Sequence, residues 1–173
     1  NRLIGKEERI LIPCYTRDKK LIGLTCRGIN NDRLRYVTIK AIKDHPLVFG
    51  LDKVDISKDI YVLEGPIDSM FVDNSISVGG SDFKRISNFA AKEMFTMVYD
   101  NQPRNKELLT IMERSIDDGY KVVIWPDYIK EKDINEMILA GMSKEEVFHI
   151  INSNAYKNLA AKAKLKEWRK INA

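Results

Sequence analysis

The sequence predicts a mixed α/β fold, α+β overall. An antiparallel β lobe opens the chain, a central parallel sheet with helices on both faces follows, and helices close it. Three observations predict this. Residues 10–39 hold three runs of strand character separated by polar turns; residues 60–125 alternate short apolar runs with helical patterns; after residue 132 the pattern is all helical.

In the amino-terminal part, 10–16 (ILIPCYT) and 20–26 (LIGLTC) read as two strands joined by the turn Arg17-Asp18-Lys19. A third, 34–39 (LRYVTI), follows the turn Asn30-Asn31-Asp32. Arg27, Arg33, Arg35 and Lys40 lie on or near these strands. The central strands are expected at 60–63, 75–78, 95–99 and 121–125, with helices at 66–71, 82–92 and 104–117. Leu108, Leu109, Met112 and Ile116 give the last helix one apolar face. Strands alternating with helices argue for a parallel sheet covered on both sides. Asp133 reads as an N-cap for 134–140, with Gly141 as its stop. Ser143 and Glu146 form a capping-box pattern opening the next helix, and 154–171 reads as a basic amphipathic helix. The division expected is 1–58, a basic β lobe; 59–141, the parallel-sheet domain; and 142–173, a helical segment.

No run of about 18 apolar residues is present, so no membrane-spanning helix is expected. No signal peptide is visible, and the chain begins at Asn1, as a fragment or processed chain would. Cys14 and Cys26 are too few for a metal quartet and read as reduced thiols, which points to the cytoplasm. Charge is distributed unevenly. Residues 1–58 carry 13 Lys and Arg against 7 Asp and Glu, residues 59–156 carry 10 against 17, and residues 157–173 carry 6 against 1. Basic surface suits a polyanion and clustered acid suits a divalent cation.

The acids fall in a pattern. In an open parallel sheet, ligands gather outside the carboxyl ends of the strands. Glu64 ends the first central strand there, Asp100 ends the third, Asp127 follows the fourth, and Asp133 comes six residues later; Asp68 stands one turn into the first helix. Carboxylates brought together repel, and hard oxygen ligands suit Mg²⁺ or Mn²⁺. Such an ion can orient a hydroxyl and stabilise a transferring phosphoryl group. Taken singly, Asp127 and Asp133 fit helix caps better than ligands. Tyr36, beside Arg35, is a candidate for stacking on a base, whereas Trp125 in VVIWP reads as core. His45, in a loop, and His149, in a helix, stand without a nucleophile pattern, and Gly79-Gly80-Ser81 reads as a turn.

Glu64-Gly65-x-x-Asp68 after an apolar strand, with a second strand ending in Asp100, resembles the Toprim domain. Upstream, RILIPCYTRDKKLIGLTCRGINNDRLRYVTIK is similar to the amino-terminal lobe of the primase RNA-polymerase domain, HPLVFGLD resembles the step that precedes Toprim there, and KDINEMILAG resembles the K-D-x-N-E motif of phage primases. The likeness covers nearly the whole chain, and the family it points to is the Toprim-containing bacterial-type DNA primases, most like those of tailed bacteriophages.

The resemblance implies a nucleotidyltransferase that makes RNA primers from ribonucleoside triphosphates on single-stranded DNA, with Mg²⁺ or Mn²⁺, beside a replicative helicase, in the host cytoplasm. Glu64 takes the position of the Toprim glutamate, Asp68 that of the supporting aspartate, and Asp100 that of the first acid of D-x-D. Asp127 and Asp133 resemble the later acids. Arg27, Arg35 and Lys40 lie where the family holds phosphates, and Asn135 and Glu136 complete the last motif. Gln102 stands where the second D-x-D acid is expected; its carbonyl can ligate Mg²⁺ but brings no charge. No Cys/His zinc module is present in the sequence. Two other readings of the same acids stay open at this point, a Toprim nuclease and a non-catalytic Toprim module that recruits a replication partner.

Overall fold

The structure is a computed structural model that describes residues 8–30, 33–43, 45–79, 86 and 89–170. Two sheets organise it. The first is antiparallel, in the order β1 (Arg9–Tyr15), β2 (Leu21–Gly28), β3 (Tyr36–Lys40). The turn between β1 and β2 is held by Thr16, whose N–H donates to the Lys20 carbonyl at 2.8 Å and whose Oγ1 donates to Asp18 Oδ1 at 2.5 Å. Register pairs Thr25 with Thr38, Arg27 with Tyr36 and Gly23 with Lys40. Paired residues share a face and alternate residues repeat it, so Thr25, Arg27, Tyr36, Thr38 and Lys40 stand on one side of the sheet. A Cβ on Gly23 would meet the Ile39 carbonyl at 2.4 Å and Leu47 Cδ1 at 2.9 Å. The lack of a side chain there lets the segment carrying Leu47 close over the strands. Cys14, Ile22 and Leu47 form the small core that results. Cys14 and Cys26 are both free thiols and buried.

The second sheet runs β5 (Ser75–Ser77), β4 (Ile60–Leu63), β6 (Phe95–Val98), β7 (Lys121–Val123), β8 (Ala155–Tyr156). The first four strands are parallel. All four residues of β4 and of β6 are buried, as strands covered on both faces must be. Its helices are α1 (Pro66–Ser69), α2 (Lys106–Asp117), α3 (Ile134–Leu139), α4 (Lys144–Ser153) and α5 (Asn158–Trp168). α2 packs on β7 and α5, while α1 packs on β4, β5 and α3. One large core runs from Val48 to Trp168 through both layers. The segment that follows the first sheet is tied to β5 by a backbone pair: Phe49 N–H donates to the Ser77 carbonyl at 2.8 Å, and Ser77 N–H donates to the Phe49 carbonyl at 3.1 Å.

Caps fall where the sequence predicts them. Asp133 Oδ1 accepts from Glu136 N–H at 2.8 Å, and Ser143 and Glu146 form a complete capping box. Two expectations are corrected. The segment after residue 132 is not all helical, because Ala155–Tyr156 pairs antiparallel with β7; two residues carry no alternation to betray a strand. The last helix therefore spans Asn158–Trp168 rather than 154–171. The helix expected at 82–92 lies mostly outside the described residues, and Lys92–Met94 at its end is a 3₁₀ turn.

Candidate nucleotide and nucleic-acid site

The carboxyl ends of β4 and β6 open into a cleft of about 370 Å³ that faces the first sheet. Its acidic floor is Glu64, Asp68, Asp100 and Asp133; its basic wall is Arg27, Arg35 and Lys40 with Tyr36, Thr25 and Thr38 between them. The period-two alternation of β2 and β3 thus turns one row of the antiparallel sheet towards the strand ends of the parallel one. The Arg27 guanidinium stacks over the Tyr36 ring, 4.8 Å from its centre. Lys40 Nζ is held by the carbonyls of His45 at 3.2 Å and Lys43 at 3.4 Å.

The floor is short of positive charge. Glu64 Oε1 is buried and has no hydrogen-bond partner. Burial pushes the Glu64 carboxyl up to about 7, and the Asp100 charge beside it adds to the rise; the Asp100 backbone amide and Lys132 act against it. Burial likewise pushes Asp68 up to about 6, with the Asn135 amide opposing and Asp133 and Asp100 adding to the rise. Asp68 lies against Gly65, where a Cβ would come within 2.6 Å of its Oδ2, so Gly65 is what leaves room for the carboxylate. Pro66 at the first helical position starts α1 and leaves no orphan N–H there.

Three expected members, Asp127, Gln102 and Arg33, do not line the cleft. β7 ends at Val123, and Pro126 carries Asp127 into a separate hollow beside Trp168, where its side chain is 79% exposed and pairs with Lys170 at 3.4 Å. Gln102 turns its amide nitrogen to Asp100 Oδ2 at 3.1 Å, while its oxygen accepts from Asn105 Nδ2 at 3.1 Å. In this arrangement Gln102 holds Asp100 through its amide nitrogen, and its oxygen is turned to Asn105. Arg33 is exposed and does not line the cleft. Trp125 is core, its Nε1 donating to the Tyr99 carbonyl at 2.7 Å. His149 is exposed, and Gly79 borders the cleft while Gly80 and Ser81 lie outside the described residues. Among the described residues, no three His, Cys, Asp or Glu side chains stand together as a ready-made metal cage.

The sequence reasoning passed over Lys132 and Asn101. Lys132 Nζ pairs with Asp100 Oδ2 at 3.3 Å; its place before Asp133 in KDINE was the available signal. Asn101 ties three segments together. Its Nδ2 donates to the carbonyls of Ile129 and Glu131 at 3.1 and 3.0 Å, and its Oδ1 accepts from Trp168 Nε1 at 3.1 Å.

No family model matches the chain. The DNA primase of Enterobacteria phage T4 is 32% identical over 168 residues, 95% of this chain and 48% of that protein, so the chain spans about half of its relative's length. Three solved structures share the fold. The Aquifex aeolicus primase (zinc-binding and RNA polymerase domains) matches with TM-score 0.66 and 22% identity, over 92% of this chain and 44% of that one. A DnaG primase catalytic domain bound to single-stranded DNA matches with TM-score 0.65 and 16% identity, over 92% and 55%. The primase fragment of the bacteriophage T7 primase-helicase protein matches with TM-score 0.62 and 18% identity, over 86% and 64%. Over its matched length the chain is a homologue of the phage T4 DNA primase, and it has the fold of the primase catalytic core.

Proposed function

We propose that this chain is the catalytic core of a DNA-dependent RNA primase, which joins ribonucleoside triphosphates on a single-stranded DNA template. The observation that carries the reading is the single cleft with an acidic floor of strand-end carboxylates and a basic wall facing it. In the reaction the 3′-hydroxyl of the growing chain attacks the α-phosphorus, the bond to the pyrophosphate oxygen breaks, and the hydroxyl loses its proton. Glu64, the acid that ends β4 on the floor of the cleft, is placed to receive that proton. Arg27, Arg35 and Lys40 hold template or nucleotide phosphates, and Tyr36 supports a base from the same row.

The orphaned, buried Glu64 oxygen, and the burial and neighbouring negative charge that raise Glu64 and Asp68, fit a hard cation. Glu64 and Asp100 would hold Mg²⁺ or Mn²⁺, with Asp68 and Asp133 behind them. When bound, the ion supplies charge neutralisation at the triphosphate. On this reading, residues 1–58 form the template lobe, 59–141 the Toprim domain, and 142–173 a segment completing its sheet. A replicative helicase is the partner, and the cytoplasm of a bacterial host is the setting.

Primer synthesis from labelled ribonucleotides on single-stranded DNA, with Mg²⁺ or Mn²⁺, tests the reading. Short RNA is expected from the wild type. A loss of about a hundredfold or more is expected in Glu64→Gln and Asp100→Asn, since each removes a group that meets developing charge. Undiminished synthesis in Glu64→Gln with the fold intact sinks the assignment, and cut DNA in place of RNA points to a nuclease.

A further inference from the structure

Lys132 enters the site on a fixed backbone. Its N–H donates to Glu136 Oε2 at 2.8 Å, and its carbonyl accepts from Asn101 N–H at 2.6 Å. From that anchor the side chain reaches Asp100 Oδ2 at 3.3 Å, the same oxygen to which Gln102 Nε2 donates at 3.1 Å. One carboxylate oxygen on the floor is therefore already taken by a fixed ammonium and an amide. The Lys132 side chain is 42% exposed while Asp100 is 20% exposed, so the ammonium sits on the solvent side of the pair with a flexible stem behind it. The other cations bordering the cleft, Arg27, Arg35 and Lys40, all come from the β lobe, and Lys132 alone among the described residues brings positive charge from the acidic side.

An ammonium and a divalent cation cannot both occupy the close environment of one carboxylate oxygen without strong repulsion. An ammonium displaced from Asp100 still faces Glu64, Asp68 and Asp133, the same carboxyls that draw the divalent cation, so its release from the floor is favoured when a triphosphate brings further negative charge into the cleft. We infer that Lys132 is a built-in counter-cation that competes with a divalent cation for Asp100 and, once released, ligates the triphosphate of the incoming nucleotide. The site thereby holds back cation binding until the triphosphate arrives to take the lysine. This rests on the metal-dependent reading of Glu64 and Asp100.

The test compares wild type, Lys132→Gln, Lys132→Arg and Glu64→Gln in two binding measurements. Free Mn²⁺ is followed by electron paramagnetic resonance without nucleotide, and a fluorescent ribonucleoside triphosphate is titrated at saturating Mn²⁺. Lys132→Gln is expected to bind Mn²⁺ about fivefold more tightly and the triphosphate about tenfold more weakly, consistent with a part-exposed ion pair. Lys132→Arg is expected to stay within about twofold of wild type in both. A merely structural lysine would not move the two affinities in opposite directions. Unchanged or weakened Mn²⁺ binding in Lys132→Gln overturns the inference, as does unchanged triphosphate binding. Mn²⁺ binding that Glu64→Gln abolishes leaves the metal reading standing in that event, whereas absence of Mn²⁺ binding by the wild type overturns both.

Discussion

The Asp68 carboxylate accepts a hydrogen bond from the backbone N–H of Asn135, 67 residues further along the chain, at 2.9 Å. The contact joins the start of α1 to the start of α3, and so joins the two sequence motifs that frame the acidic floor. The donor is backbone, so the bond depends on what stands at 68 and not on the side chain at 135.

The two positions should therefore respond unequally to truncation. Asp68→Ala leaves a part-buried N–H unpaired and is expected to cost about 1–3 kcal/mol. Asn135→Ala keeps the bond and is expected to cost under about 0.5 kcal/mol. Urea unfolding of both variants measures the difference, and equal losses would contradict the geometry.

Stability of the metal-free protein should fall as pH rises through the neutral range. Burial and the neighbouring Asp100 charge raise Glu64 from its ordinary 4.5 to about 7. Between these values the folded state binds more protons than the unfolded one, so the stabilisation present at low pH is lost towards pH 7 and above. The expected loss is on the order of 2 kcal/mol. Glu64→Gln should flatten the curve, and added Mg²⁺ should restore stability at pH 8. A melting curve that is independent of pH from 5 to 8 in the wild type would refute this.

Asn101→Ala should be among the costliest single changes near the site. It strands the nearly buried Trp168 N–H and frees the carbonyls of Ile129 and Glu131. A loss of about 2–4 kcal/mol is expected. In the double variant Asn101→Ala/Trp168→Phe, the two losses should be less than additive, since Trp168→Phe removes the stranded donor.

Single-stranded DNA binding should report the basic wall selectively. Arg27→Ala and Arg35→Ala are each expected to reduce the slope of log affinity against log salt by about 0.7, one phosphate contact on a single strand. Arg33→Ala, whose side chain is outside the cleft, should leave the slope unchanged. Equal effects from all three would mean that charge alone, not placement on the cleft wall, guides the strand.

Much of this was legible in the sequence where the signal is local. Ile60–Leu63 stands as expected because a fully buried parallel strand is an unbroken apolar run ended by an acid. Asp133 and Ser143 act as caps because capping is a matter of three or four residues. Glu64 and Asp100 meet because parallel strand ends share an edge, and the starts of α1 and α3 bring Asp68 and Asp133 to the same cleft. Asp127 departs because Pro126 carries the chain away from β7 before the acid is reached, and no periodicity records such a turn. The orientation of the Gln102 amide is not legible in the sequence, because it depends on Asn105, the cap of a helix that forms three residues later. Lys132 was hidden among ordinary surface lysines, since only the meeting of two loops gives it Asp100.

β8 is two residues long, and it is the strand that covers the outer edge of β7. Val122 and Val123 are the residues it pairs, both fully shielded from water. A nascent chain cut or stalled before residue 155 would present those valines on an open, hydrogen-bonding edge, a template for another chain. Chain synthesis therefore sets an order of risk. The acids of the cleft floor are all translated by residue 133, but the sheet beneath them is safe from intermolecular pairing only some twenty residues later. Solubility of truncated forms, more than their activity, is where this short strand should make itself felt.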